Sequence, residues 1–391
     1  MLVMANYING KLSPSLSGEV IEVLNPYNQE VIGTVPKSTR SDVEEALKSS
    51  QKAQKKWCKL PAQKRASYLV EIADLLELHK EEMAVLLTKE HGKPLTQARD
   101  EIDASCGFIR YAAESARRIE GEIVTSEIDQ EQTWIQRVPY GVTVGIVAWN
   151  FPLALAARKF GNSLVCGNTM IIKPPSETPL TVMRLAEIIA KESSLPVGVL
   201  NFITGSGSEV GDALVRNDVV KLVTLTGSTR AGLEVFRAAA DHCVAVRLEL
   251  GGKAPFIVME DTDIDRAVKA AVIAKFNNCG QICTCNERMY IHESIYEKFV
   301  AGLIEKTSEL VVGDPLNPDT FIGPKVNKAE VEKINQLVQK SVEQGGKVLL
   351  DMTPEMKPTQ NGNWMYPVII EVPNNDNILM HDEIFGPVLP V

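Results

Sequence analysis

An α/β protein built around a doubly wound parallel sheet is what this sequence predicts, and three observations lead there. From residue 142 onward, short runs of β-branched and aliphatic residues alternate with helical segments. Chemistry-bearing residues recur where those runs end: Lys173, Gly205-Ser206-Gly207, Gly227-Ser228-Thr229 and Glu249. Open α/β sheets bind ligands at the carboxyl ends of their strands, so this placement fits a Rossmann-like nucleotide site. A second α/β pattern starts near Ala254, which implies a separate domain.

The elements follow in order. Residues 7–36 read as short strands and turns, punctuated by Asn25-Pro26 and Gly33. Ser41-Asp42-Val43-Glu44 reads as a capping box that opens a helix running to about Trp57. Helical spacing continues over 62–91 and 95–118. The pattern then changes. Residues 122–138 carry Ile123-Val124, Thr133-Trp134-Ile135 and Val138 with polar residues between, which predicts a small β-ribbon outside the helical layer. Strands are expected at 142–147, 169–172, 199–203, 221–225 and 244–248, with helices between them. One of these helices spans 153–166, and another starts at Thr178-Pro179, with Pro at a favourable early position. The second pattern comprises strands at 256–258, 288–292, 347–350 and 366–371 and helices at 263–275, 295–310 and 328–344. The expected division is 1–118 with 141–251 as a nucleotide-binding domain, 119–140 as the ribbon, and 252–391 as a second domain.

A chain of 391 residues can form two or more domains, each with its own core. Its apolar fraction of 45% and charged fraction of 23% are ordinary for a globular protein. The net charge of −9 is spread along the chain without a Lys/Arg block, so nucleic acid is not an expected partner. No apolar run reaches membrane-spanning length, and Met1–Tyr7 lacks the features of a signal peptide. Seven cysteines are scattered, three of them at Cys279, Cys283 and Cys285. An odd, scattered set is no disulfide framework and suits a reducing cytoplasm. The nearest histidine to the cluster is His292, and the spacing matches no common zinc pattern, so no metal is expected.

Cys283 is the most informative residue. It lies in Gly280-Gln281-Ile282-Cys283-Thr284-Cys285, thirty-four positions after Glu249-Leu250-Gly251-Gly252-Lys253. Asn150, in Trp149-Asn150-Phe151-Pro152, stands ninety-nine positions before Glu249. A thiol nucleophile, a carboxylate that activates water and an amide that stabilises an oxyanion are what covalent aldehyde oxidation needs. Each also has a plain structural reading: a buried inert thiol, a solvated Glu, a turn-forming Asn. The three motifs, in this order and at these separations, resemble the NAD(P)-dependent aldehyde dehydrogenase superfamily. The resemblance runs along nearly the whole chain. One small departure is Ala148, where the family usually has Pro.

For the cofactor, Gly205 to Gly211 form GxGxxxG between a predicted strand and helix, one residue longer than the usual dinucleotide fingerprint. Thr226-Gly227-Ser228-Thr229 opens the helix at 229–240, where N–H groups and the dipole suit a phosphate, although a plain N-cap fits equally. The resemblance implies that Gly227 and Ser228 contact the pyrophosphate and that Lys173 holds the adenosine ribose. It also places Trp149, Gly205 and Leu250 in the cofactor site. In Glu383-Ile384-Phe385-Gly386-Pro387 it implies that Glu383 bonds the nicotinamide ribose and Phe385 packs on the ring. NAD-preferring relatives usually carry Glu where this chain has Ser176. A Ser hydroxyl beside Lys⁺ accepts a 2′-phosphate that a carboxylate would repel, so NADP is slightly favoured over NAD. Rotation of Glu177 into the site would reverse that.

The presence of Glu249 favours hydrolysis to a free acid over transfer to coenzyme A. Arg158 matches an Arg that faces the substrate tunnel in the lactaldehyde/glycolaldehyde and succinate-semialdehyde enzymes. The succinate-semialdehyde group generally adds a second Arg, and here that position is Asn277, so a two-guanidinium clamp is incomplete. A small hydroxyaldehyde is therefore the expected substrate, with succinate semialdehyde second. Cys283 and Cys285 could form a strained, easily reduced disulfide under oxidation. The resemblance implies that the ribbon serves oligomerisation, to a homodimer or homotetramer. Family members continue for roughly 80–100 residues beyond the Glu383–Pro387 segment, a substantial part of a domain. Residues 252–391 are thus expected to be an incomplete catalytic domain, and an inactive nucleotide-binding remnant is the rival reading from another class.

Overall fold

The computed structural model describes residues 1–354 and 359–391. They group into two compact units. The first comprises 1–23, 33–83 and 99–249, the second 24–32, 84–98 and 250–391. The short segments 24–32 and 84–98 group with the second unit because their partners are there. Pro26 O accepts the Asn363 N–H (2.9 Å), Leu95 N–H donates to Pro315 O (2.8 Å), and Tyr27 meets Trp364 edge-on at 5.7 Å.

The first unit is organised on a seven-stranded sheet. Its strands run Ala245–Glu249, Val220–Thr226, Val142–Ile146, Thr169–Lys173, Leu200–Phe202, Asn6–Ile8, Lys11–Ser13. The first five are mutually parallel. Strand Thr169–Lys173 is buried at every position, as expected of a parallel strand covered on both faces. The hairpin 6–13 is appended antiparallel and turns on Asn9-Gly10, both at positive φ. Val144, Ile171 and Val223 from the sheet pack with Ile203, Val43, Leu47 and Leu214 in one core cluster.

Several helix boundaries differ from expectation for local reasons. The first helix is Arg40–Trp57, two residues from the expected box, because Asp42 reaches back to Thr39. Asp42 Oδ2 accepts the Thr39 N–H (2.8 Å) and hydroxyl (2.9 Å), while Oδ1 accepts the Leu16 N–H. Residues 62–91 form two helices, Ala62–Leu78 and Lys80–His91, broken at His79, whose ring bridges Glu82 and Glu192. Helix Leu95–Glu114 tightens into a 3-10 turn, Ser115–Arg118. The next boundary shift puts Pro179 at the N-cap of helix Leu180–Glu192. The ribbon consists of Glu122–Thr125 and Gln132–Ile135, paired antiparallel and exposed throughout.

The second unit pairs strand Pro255–Val258 in parallel with Arg288–Ile291. Helices Ile264–Phe276 and Tyr296–Ser308 share a core with this pair through Val258, Phe276, Phe299 and Leu303. A separate three-stranded sheet joins Lys347–Asp351, Val368–Glu371 and Val388–Pro390. The last strand was not anticipated, since three residues are too few to show alternation. Among the described residues no helix is long and apolar enough to cross a membrane.

Candidate active site

The first unit places its expected site residues where parallel strands end. Lys173 and Glu249 are the last residues of their strands, and Gly227 directly follows strand Val220–Thr226. Gly227 N–H donates to the Glu249 carbonyl (3.0 Å), tying two of these ends together. Asn150 is buried in the connection between strand Val142–Ile146 and helix Pro152–Val165. Pro152 sits in the helix's first turn. The buried Glu101 carboxylate accepts the Leu153 and Ala154 N–H groups (3.0 and 3.2 Å). These contacts fix the helix start beside Asn150. The Trp149 carbonyl is held by the Thr178 hydroxyl (2.9 Å).

A cleft of about 670 Å³ in this unit brings Arg158, Lys159 and Glu249 to one surface, with Thr224 and Thr226 in its wall. Arg158 is exposed, its guanidinium 5.1 Å from the centre of the Phe108 ring. Lys159 escaped the sequence reading. Burial pushes its pKa down to about 8, opposed by the Glu249 carboxylate and reinforced by Arg158. A lysine flanked by Ala156, Ala157 and Phe160 in an apolar helix was the available signal.

Lys173 is buried, and its Nζ donates to the Pro174 carbonyl (3.0 Å). Burial lowers its pKa to about 8, with Glu177 opposing. Ser176 and Glu177 are both exposed. Gly205 turns at φ +144. Ser228 is the N-cap of helix Thr229–Ala240, its Oγ accepting the Ala231 N–H (3.2 Å). The plain capping role is therefore present, and the helix start leaves further first-turn N–H groups without intrahelical partners. Thr226 Oγ1 is buried without a hydrogen-bond partner among the described residues. A helix N-terminus and an orphaned hydroxyl at the end of strand Val220–Thr226, with a buried cation at the end of strand Thr169–Lys173 two strands away, are groups that suit a dinucleotide phosphate.

The second unit carries Cys283. Helix Ile264–Phe276 is followed by Asn278, Cys279 and Gly280 at φ +51, +56 and +70, which reverse the chain. A side chain at Gly280 would collide with the Gly386 backbone. Gln281 is buried and braces the turn, donating to Asn278 O (3.0 Å) and accepting the Val326 N–H (3.1 Å). Beyond this brace Cys283 is exposed, whereas Cys279 and Cys285 are buried. Burial pushes both of those thiols up to about 11. Of the three, Cys283 is the one a solute reaches without rearrangement.

Half-buried Leu250 begins the long final segment of this unit. Glu383 accepts the Gly252 N–H (3.1 Å), and its carboxylate fills the space a side chain on Gly251 would need, which explains the glycine at 251. Burial raises the Glu383 pKa; the Gly252 N–H opposes this and Glu287 adds to it. Phe385 stands at φ +55 with its carbonyl accepting Lys325 Nζ (2.5 Å).

Residues 13–391 match the aldehyde dehydrogenase family. The 3,6-anhydro-alpha-L-galactose dehydrogenase of Vibrio sp. (strain EJY3) is 42% identical over 387 residues, covering 98% of this chain and 80% of that one. The NADP(+) succinate-semialdehyde dehydrogenase GabD of Escherichia coli is 36% identical over 385 residues, covering 98% and 79%. The crystal structure of lactaldehyde dehydrogenase from Escherichia coli superposes with a TM-score of 0.96 at 38% identity, covering 100% of this chain and 81% of that one. The fold is that of these dehydrogenases, and the chain belongs to the aldehyde dehydrogenase family.

Proposed function

We propose that this enzyme oxidises a small hydroxyaldehyde, of the lactaldehyde or glycolaldehyde kind, to its carboxylic acid with NAD(P)⁺ through a thioester on Cys283. The observation that carries the covalent route is the exposure of Cys283 beside two buried thiols. The Cys283 thiolate adds to the aldehyde carbon, and the Asn150 amide with the Cys283 N–H stabilises the oxyanion. The bound nicotinamide supplies the hydride acceptor. Glu249 then takes a proton from the water that cleaves the thioester, releasing acid and thiol.

Residues 1–118 and 141–251 act as the NAD(P)-binding domain and 252–391 as the catalytic domain. Lys173 and Ser176 hold the adenosine ribose, Gly205, Gly227 and Ser228 the pyrophosphate, and Glu383 and Phe385 the nicotinamide end, with Trp149 and Leu250 alongside. Ser176 favours NADP, in keeping with the NADP(+) of GabD's name. Exposed Ile123 and Trp134 suit the ribbon to homo-oligomer pairing, and a cytoplasmic setting completes the proposal.

Exposed Arg158 meets a substrate hydroxyl or carboxylate at the cleft. Asn277 in place of a second guanidinium supports the hydroxyaldehyde reading, as do the names of two of the similar proteins. Succinate semialdehyde is the second reading, supported by Arg158 itself and the likeness to GabD. The deciding experiment compares kcat/KM for lactaldehyde, glycolaldehyde and succinate semialdehyde with each cofactor. A hydroxyaldehyde is expected to lead by about tenfold, roughly 1.4 kcal/mol in transition-state binding. Succinate semialdehyde leading would overturn the substrate assignment.

A further inference from the structure

Glu287 lies in the second unit, four positions after Cys283, with a side chain only 2% exposed. Its carboxylate collects donors from three directions. Oε2 accepts Lys253 Nζ (2.9 Å) and the Ile384 N–H (2.7 Å). Oε1 accepts Lys275 Nζ (3.0 Å), the Phe385 N–H (3.2 Å) and the Cys285 thiol (3.3 Å). Five donors on one carboxylate exceed its roughly four lone-pair sites, so its acceptor capacity is fully used. They join the stretch after Gly251-Gly252, the turn that displays Cys283, and the loop of Glu383 to Phe385.

The loop needs such a hold. Phe385 occupies a left-handed conformation, φ +55, which costs energy for a bulky residue and persists only where surroundings impose it. Glu287 grips the nitrogen of Phe385, and Lys325, fully buried, donates to its carbonyl. Both polar groups of the Phe385 residue are thus fixed by buried ions. Burial alone would raise the Glu287 pKa, yet Lys275, Lys253 and the Ile384 N–H hold it down at about 2, so the anchor stays charged at working pH.

We infer that Glu287 is a positioning residue for hydride transfer: its carboxylate fixes Glu383 and Phe385 and locks that loop to the Cys283 turn. The inference rests on the proposed reading that Glu383 and Phe385 hold the nicotinamide end of the cofactor. Glu249 belongs to the other unit and is not held by this network. Loss of Glu287 should therefore slow the oxidative half-reaction and spare hydrolysis of the acyl-enzyme.

The test uses Glu287→Gln combined with Lys275→Met, which removes one charge of each sign, in the intact chain. Lys325→Met, on the opposite side of the Phe385 peptide, is the second variant should the first fail to fold. Two activities are read. Pre-steady-state formation of reduced cofactor, with an aldehyde deuterated at C1, reports hydride transfer. Turnover of an activated ester such as p-nitrophenyl acetate forms and hydrolyses the same Cys283 thioester without any hydride step. The expected result is a burst slowed by about tenfold or more with an enlarged isotope effect, and ester turnover within about threefold of the parent. An unchanged burst and isotope effect in the variants would overturn the inference. So would an equal fall in burst and ester turnover, which would make Glu287 a general brace of the Cys283 turn. Failure of the underlying reading looks different: Glu383→Gln would then leave both the cofactor dissociation constants and the burst at their parent values, whatever Glu287 does.

Discussion

Lys159 Nζ donates a hydrogen bond to Thr224 Oγ1 at 3.0 Å, inside the cleft that Glu249 also lines. Burying this ammonium group is offset only in part by the Glu249 carboxylate. Its cost falls on stability. Burial lowers the Lys159 pKa from 10.5 to about 8, so between those values the unfolded chain binds more protons than the folded one. Stability must then rise with pH across that window; the cost is complete below about pH 8 and disappears above 10.5.

Lys159→Met is accordingly expected to be more stable than the parent at pH 7, by about 1–3 kcal/mol after the lost hydrogen bond is set against the relieved burial. The advantage should shrink as pH approaches 10. Turnover should fall at the same time, and any inflection in kcat near pH 8 should vanish. Denaturant midpoints of both proteins at pH 7 and pH 10 check the first part. An advantage that does not change with pH would remove Lys159 as the titrating group.

For the nucleophile, Cys283→Ser should reduce aldehyde oxidation by about 10³-fold or more while cofactor binding is kept, because an alkoxide is far harder to form than a thiolate. Cys279 and Cys285 are buried with pKa values pushed up to about 11, so neither can replace it. Turnover and cofactor titration on the same preparation decide the matter. Substantial residual turnover would rule out the covalent route.

Glu249→Gln separates the two halves of the reaction. The burst of reduced cofactor should survive, and the steady rate should drop by about 10²–10⁴, the usual worth of a general base. Acid quench at the end of the burst should trap acyl-enzyme. If burst and steady rate fall together, Glu249 acts before the thioester rather than on it.

Much of this architecture was legible because it rests on local pattern. Buried aliphatic runs gave the parallel strands at 142–146 and 169–173, and alternation at 122–135 gave the ribbon. Cys283, Glu249 and Asn150 were visible because they sit in distinctive motifs. What supports them was not. Glu101 lies about fifty positions before the helix it caps, and Glu287 holds a loop nearly a hundred residues away. Such partners depend on the tertiary arrangement, and a buried carboxylate looks in sequence like any solvated one. The break at His79 was hidden for a related reason. Helical spacing runs through it, and the interruption shows in the backbone and in the ring's contacts with Glu82 and Glu192.

Cofactor choice provides the last prediction. Lys173 sits at the end of its strand with Ser176 and Glu177 exposed just beyond, so the charge facing a 2′-phosphate depends on which of the two side chains turns toward it. Glu177 already influences Lys173, partly offsetting the fall in its pKa caused by burial. Ser176→Glu adds a second carboxylate there. It should weaken NADP binding through like-charge repulsion by about 1–2 kcal/mol, a factor of ten or slightly more, while NAD is kept or improved. The measurement is the dissociation constant of each cofactor for parent and variant, at one salt concentration because the phosphate interaction is screened. A parent that binds NAD much more tightly than NADP would assign the ribose to Glu177, and the variant would then shift neither constant by much.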